Sequence, residues 1–489
     1  MAEIWNICST FAPKLHIIMY TKKKKRVFRL LGLLYSLVFA SMLLLSCAEN
    51  TEDVSIAANA GYVSSVSFNN MRRVATIKAS DGVTDSTCFV TYSATSWSFT
   101  IDHKTLSIEN RDSLPYSTDL SRVVMNLAYS GGAAYHRASD AWADDAWITY
   151  NAEDSIDIRK PLHIKIVATD NTERIYTLRV NVHTVEGETM RWTSVGSDEL
   201  IGGQHPMKAV ALEDRVAVLV NDGNSVSWVT HGLAIAGAWE RHVTDLPKGA
   251  DVKTLSKGKE RVFVNTDAGE LYASSNGLDW EMLYQHDGLR MVGVSNDKLY
   301  ATFDNAVKSI YIGASEWKTE TLDDDYSLMP DKEIATMTYA QNKELTRMII
   351  VGNRSVDTDT EAVVWSKCWT NFEDEDKESW MFYTRNWDNT QQMPMLTQMN
   401  LIHYDNMLMM VGGKSYDGKI QAMDRFLVSK DNGLTWWRQQ TFAPPAELKG
   451  VEGHIAATVD KDKFIWLIAG GKVFRGRQNR LGFVRPGIN

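Results

Sequence analysis

Met407-Leu408-Met409-Met410-Val411-Gly412 is an uninterrupted apolar run, and the stretches that line up with it decide the fold. They are Val216-Ala217-Val218-Leu219-Val220, Arg261-Val262-Phe263-Val264, Lys298-Leu299-Tyr300-Ala301, Met348-Ile349-Ile350-Val351-Gly352 and Phe464-Ile465-Trp466-Leu467-Ile468-Ala469-Gly470. An apolar strand precedes each run across a tight turn, a variable hairpin follows, and a further strand carries a tryptophan: Trp239, Trp280, Trp317, Trp380 and Trp436. Four strands per unit, recurring every ~40–50 residues, predict a β-propeller over residues 187–489.

Six second strands but only five outer-strand tryptophans follow one another along the chain. The missing outer strand is predicted in front, at Arg191-Trp192-Thr193-Ser194-Val195, so that the two ends of the propeller close one ring. The expected count is six blades, with seven the alternative.

Ahead of the propeller, residues 61–186 alternate with period two, most clearly in Leu162–Ala168 and Ile175–Val182 on either side of a polar turn. Several short strands with turn signals predict a β-sandwich of immunoglobulin type, making the chain all-β.

The first sixty residues carry a different message. Lys22-Lys23-Lys24-Lys25-Arg26 and the apolar run from Leu30 to Leu45 are the n-region and h-region of a signal peptide, with translation expected to start at Met19. The run is at the short end for crossing a bilayer. Leu44-Leu45-Ser46-Cys47 resembles the lipobox of bacterial lipoproteins, which implies cleavage of residues 1–46, lipid attachment at Cys47 and a place in the outer membrane or on the cell surface. Residues 47–60 are polar and suit a tether; Glu49, Glu52 and Asp53 resemble the acidic surface-export signals of Bacteroidota lipoproteins.

Formal net charge is −9, and it becomes more negative once the basic leader is set aside. An acidic chain of this kind is not expected to bind nucleic acid through phosphate contacts. Beyond Cys8 and Cys47 only Cys88 and Cys368 remain, in different predicted domains; they are expected unpaired and buried. The acidic runs Asp323-Asp324-Asp325 and Glu373-Asp374-Glu375-Asp376 fall in predicted hairpin loops as solvated charge. No metal or cofactor is expected, and no nucleotide loop, His-Glu-x-x-His or Gly-x-Ser-x-Gly occurs.

Ser429-Lys430-Asp431-Asn432-Gly433-Leu434-Thr435-Trp436 resembles the Asp-box of sialidases and many non-enzymatic propellers, and Ser274-Ser275-Asn276-Gly277-Leu278-Asp279-Trp280 is a looser copy. The resemblance implies a structural turn built by Ser429, Asp431, Gly433 and Trp436 and by Ser274, Asn276, Gly277 and Trp280, away from any ligand. Gly412-Gly413 and Gly470-Gly471, with Tyr416 and Trp436, resemble the double glycine of kelch repeats, as in galactose oxidase. The Arg-Ile-Pro motif of sialidases is absent, and Cys368 beside Trp369 on an outer hairpin does not suit a copper-radical site. The whole arrangement is similar to a family of uncharacterised Bacteroidota lipoproteins known as a domain of unknown function, in which the Ig-like domain acts as a spacer.

The segments leading into the innermost strands carry His205, Lys253, Arg290, Gln398 and His454, one from each of five units. Side chains of these types at a common mouth can bond the hydroxyl or carboxylate groups of a sugar. Twelve of the sixteen tryptophans lie in the last three hundred residues, most of them expected as core between blades. The leading expectation is a non-catalytic binding lipoprotein with a glycan ligand. A propeller glycoside hydrolase or lyase would need two carboxylates facing each other across the mouth, and a protein-interaction scaffold would show a large apolar patch.

Overall fold

The computed structural model describes residues 61–78, 85–137, 147–295, 298–370, 378–383 and 389–483. The leader, Cys47, the tether and the acidic run 373–376 lie outside these residues. Regular structure among them is β throughout, apart from single 3₁₀ turns.

Residues 190–478 form six four-stranded sheets. Their first strands are, in chain order, Met207–Ala211, Ala250–Lys257, Arg290–Val294, Lys332–Ala340, Asn400–Tyr404 and Ile455–Val459. We number the sheets one to six in this order. Each second strand, for example Arg215–Asn221 in sheet one or Ile465–Ala469 in sheet six, is covered on both faces by neighbouring sheets. That is why it reads as a continuous apolar run rather than an alternation: Val216 through Val220 are all 0% exposed. Outer strands such as Glu240–Val243 face solvent along their whole length. The sequence places the tryptophan inside the outer strand, whereas Trp239, Trp280, Trp317, Trp380 and Trp436 each stand immediately before it. From there a ring can fold back towards the preceding sheet. Trp280 joins a core with Val226 and Trp228 of sheet one, and Trp436 a core with Ile349 and Val364 of sheet four.

Six apolar clusters fill the spaces between successive sheets. The last couples sheet six, through Trp466 and Val473, to sheet one, through Val216 and Val218. Every sheet therefore has a neighbour on both sides, and the cycle has no open face. Sheet six is completed by Met190–Val195, which pairs antiparallel with Lys472–Gln478 from Met190 opposite Gln478 to Val195 opposite Val473. Gly476 is what the Trp192 ring rests on: a Cβ there would lie 2.2 Å from the indole.

A recurrent polar clasp links the sheets. Asn221 and Asn353 end the second strands of sheets one and four, and Asn265 is the last but one residue of the second strand of sheet two. Asn221 Nδ2 donates to Ala250 O at 3.0 Å, Met291 N donates to Asn265 Oδ1 at 3.0 Å, and Asn353 Nδ2 donates to Leu396 O at 3.0 Å. Each bond reaches the segment that opens the next sheet, at the end of the molecule where the first strands begin.

The two Ser-x-Asp/Asn turns share one construction. Ser429 Oγ donates to Asp431 Oδ1 at 2.7 Å, Gly433 N donates to Ser429 Oγ at 2.8 Å, and Trp436 Nε1 donates to Gly433 O at 3.0 Å. Ser274, Asn276, Gly277 and Trp280 repeat this at 3.0, 2.8 and 3.0 Å, with Asn in place of Asp. The double glycines, by contrast, are not equivalent. Gly470 and Gly471 adopt positive φ (56° and 73°), whereas a Cβ on Gly412 or Gly413 would collide with Leu396 or Thr397.

The N-terminal part packs a three-stranded sheet, containing Tyr62–Phe68 and Val123–Ser130, against a six-stranded one around a single core that includes Phe68, Met125, Ile164 and Tyr176. The predicted hairpin is present as Leu162–Val167 and Glu173–Arg179, with Asn171 at φ 62° in the turn. Arg179 and its neighbours also pair in parallel with Ser107–Asn110. Cys88 and Cys368 are free but only half-buried, contrary to the expectation of burial. Cys88 sits on a two-stranded hairpin, Asn70–Lys78 with Asp85–Ser93, which among the described residues meets only an isolated bridge from Arg73 to Thr118.

The connecting segment is pinned at the seam. Glu186 pairs with Arg73 at 2.8 Å, and its carbonyl accepts from Asn479 Nδ2 at 2.8 Å. Glu188 accepts from Gln478 Nε2 at 3.1 Å and pairs with Arg480 at 2.9 Å.

Candidate functional site

The six first strands surround a central channel of about 410 Å³, within the roughly 300–1,000 Å³ usual for small-molecule sites. Antiparallel connectivity brings the start of every first strand to the same end. At that end the first strands of sheets two, three and four are irregular, with register shifts between Asp251 and Ser256, Met291 and Gly293, and Lys332 and Ala335. A bulge re-aims the side chains beside it and is common next to functional sites. In sheet two the hydroxyl of Thr254 takes over a lost ladder bond by accepting from Asn265 N at 3.0 Å, and Lys253 N donates to Asp251 Oδ1 at 3.1 Å. In sheets four and five the distortion is in the backbone itself: Glu333 and Gln398 hold φ at 48° and 53°. Left-handed conformations cost a non-glycine residue roughly 1–3 kcal/mol each and concentrate where geometry serves a ligand.

Each sheet delivers a polar side chain to this mouth. Lys253, Arg290 and Gln398, all expected from the sequence, line the channel together with Lys208 and Glu333. His454 Nδ1 is 3.1 Å from Gln398 Oε1, and His205 lies close enough to influence the charge of His454. Three of the five candidates thus line the channel; contrary to expectation, His205 and His454 are not among the lining residues, and each precedes the first residue of its strand, Met207 and Ile455.

Glu333 ties the mouth together. Its Oε2 accepts from Gln398 N at 2.9 Å and lies 3.7 Å from Lys253 Nζ. Arg290 Nη1 donates to Asp331 O at 2.8 Å. The Lys208 ammonium, by contrast, has no ion pair or hydrogen bond among the described residues. Burial, then the neighbouring Lys253 charge, pushes its pKa down to about 8. Burial also pushes the Asp251 carboxyl up against the pull of Arg290, and it pushes His454 down, with the Lys253 charge adding to it. His454 is thus a neutral imidazole near pH 7.

Lys208 and Glu333 were missed from the sequence. Glu333 fills the one unit for which no mouth residue is predicted; the signal was the position just inside the strand opened by Pro330-Asp331. Ser429, Asp431, Gly433 and Trp436, and Ser274, Asn276, Gly277 and Trp280, lie on hairpins between third and outer strands and take no part in the channel. Asp325 caps a 3₁₀ turn by accepting from Ser327 N at 2.7 Å, and Asp323 accepts from Phe382 N at 2.8 Å. No group of three metal-ligating side chains occurs among the described residues.

Six four-stranded sheets closed into a ring around a polar-mouthed channel, behind an N-terminal β-domain, define a β-propeller protein. The chain belongs to the DUF6242 family: the DUF6242 beta propeller domain matches residues 186–486, and the DUF6242 N-terminal domain, a domain of unknown function, matches residues 64–180. No curated protein matches it. Among solved structures it is similar to a streptogramin B lyase (12% identity, 72% of this chain and 94% of that one, TM-score 0.29). It is also similar to the α-L-arabinanase of Penicillium chrysogenum complexed with arabinobiose (9%, 60% and 99%, TM-score 0.38) and to the WD40 domain of Toxoplasma gondii coronin (10%, 60% and 87%, TM-score 0.32). Likeness at these values says nothing about activity.

Proposed function

We propose that this chain is a lipid-anchored surface protein whose propeller mouth binds a saccharide without transforming it. The observation that carries the reading is the convergence, at one end of the channel, of Lys208, Lys253, Arg290, Glu333, Gln398 and His454, one from each sheet. Donors and acceptors of mixed type around a concave mouth match the hydroxyl pattern of a sugar. Catalysis by paired carboxylates finds no support. Of the two carboxylates at this end among the described residues, Glu333 is already bonded to Gln398 and paired with Lys253, and Asp251 accepts from Lys253 N.

The decisive experiment is a glycan array. Substituting Lys253 and Arg290, which both line the mouth, together with Ala is expected to lower the array signal at least tenfold while leaving the melting temperature within a few degrees. Trp436→Ala is expected to do the reverse, costing about 3–5 kcal/mol of packing without changing the glycan preference of the folded fraction. An intact signal in the double variant places the site elsewhere or the ligand outside the sugars.

Anchoring rests on Lys22–Arg26, the apolar run and Ser46-Cys47, and the N-terminal domain serves as the spacer that lifts the mouth from the membrane. Cells fed a clickable fatty acid should label the wild-type chain, while Cys47→Ala should accumulate as unlabelled precursor; equal labelling would remove the anchor from this account.

A further inference from the structure

We infer that the saccharide carries a carboxylate, seated between Lys208, Arg290 and Lys253; this rests on the reading above and specifies its ligand class. Three cationic side chains meet at the mouth of a protein that is acidic overall. Their local partners do not balance them. Glu333 shares one oxygen between Gln398 N and a Lys253 ammonium 3.7 Å away. Arg290 uses Nη1 on a backbone carbonyl, and its other N–H groups are unengaged among the described residues. Lys208, which lines the same wall, has no hydrogen bond or ion pair among them and feels Asp251 and Glu333 only at longer range. Asp251 is the other acidic group nearby, and its one bond within the site accepts from Lys253 N.

A half-buried ammonium that no hydrogen bond or ion pair satisfies is costly to hold. It is tolerated where an anion supplied from outside completes the pairing, and a guanidinium with a free edge meets a carboxylate in a two-bond fork. The rest of the mouth then suits the ring of an acidic sugar. With Nδ1 facing Gln398 Oε1, the neutral His454 presents its other ring nitrogen to a hydroxyl, and Gln398 retains its amide N–H groups as donors.

The test is titration calorimetry on the full chain in detergent, with oligosaccharides bearing glucuronate, galacturonate or N-acetylneuraminate, each beside its carboxyl-reduced counterpart. At least one acidic member is expected to bind ten times or more tightly than its reduced form. Lys208→Met should abolish that preference while leaving the melting temperature unchanged or higher, which separates a lost ligand contact from a lost fold. Binding near pH 8 should also take up protons, because a bound carboxylate draws the Lys208 pKa back up; comparing buffers of different ionisation enthalpy reads this directly. If acidic and reduced forms bind alike, or Lys208→Met keeps the preference, the carboxylate inference fails and the saccharide reading stands. If no member binds and the array is also silent, both fail.

Discussion

Deleting Arg191–Val195 is expected to lower the melting temperature of the full chain by about 10 °C or more, although the other twenty-three propeller strands keep their sequence. The deleted segment is five of the six residues of the outer strand of sheet six, Met190–Val195, which pairs with Lys472–Gln478. Its Trp192 packs into the core between sheets five and six and donates from Nε1 to Ala443 O at 2.9 Å. Losing that indole alone costs about 3 kcal/mol. The strand pairing and the uncovered edge of Lys472–Gln478 add to it, for a total of about 5 kcal/mol. At roughly 2–4 °C per kcal/mol for a domain of this size, the shift is large enough to read by circular dichroism. An unchanged melting temperature would mean that the ring closes without this strand.

Glu320→Ala is the second variant from which a large loss is expected, about 3–5 kcal/mol, because it removes the carboxylate from a buried cationic pair. Glu320 Oε2 accepts from Lys367 Nζ at 2.5 Å, Oε1 accepts from Ser309 Oγ at 2.5 Å, and Lys298 Nζ lies 3.6 Å away. All four side chains are buried, and they join the outer part of sheet three to sheet four. Burial by itself would push the Glu320 pKa up. The hydrogen bonds from Lys367 and Ser309 and the charges of both lysines outweigh it and hold the carboxyl below its usual value. A carboxylate whose folded pKa is depressed contributes stability above its unfolded pKa and loses it as pH falls through the folded one. Urea titrations should therefore show the full gap between wild type and variant at pH 7 and a smaller one at pH 3. A gap that is constant or widens with acid would refute the assignment.

What the sequence revealed of this molecule follows from how each part is buried. Second strands were legible because burial on both faces leaves a continuous apolar run, and the ring seam was legible because one tryptophan was out of place. The mouth was legible only in part. Lys208 reads as the polar step of an ordinary alternating strand, Met-Lys-Ala-Val-Ala, and nothing local says that its polar face is the inside of a channel. The bulges at Asp251–Ser256 and Lys332–Ala335, which decide where Lys253 and Glu333 point, depend on pairing with strands later in the chain. The asparagine clasps were in plain view as Asn221, Asn265 and Asn353, each ending an apolar run, but an asparagine there reads equally well as a turn residue. Only the neighbouring sheet reveals what it holds.

The seam also decides how the molecule carries mechanical load. The strand that completes sheet six is the one by which the chain arrives from the N-terminal domain, so a pull on that domain is delivered to the ring at its joint. It does not reach the ladder first. Ahead of Met190 stand the bonds of Glu186 to Asn479 and of Glu188 to Gln478 and Arg480, all grouped around the end where Met190 faces Gln478. These brace the joint as a cleat braces a rope, together with the backbone bonds of Asn479 to Thr189 and Arg480 to Gly187. Tension is taken up at the rim before the pairing behind it is peeled apart.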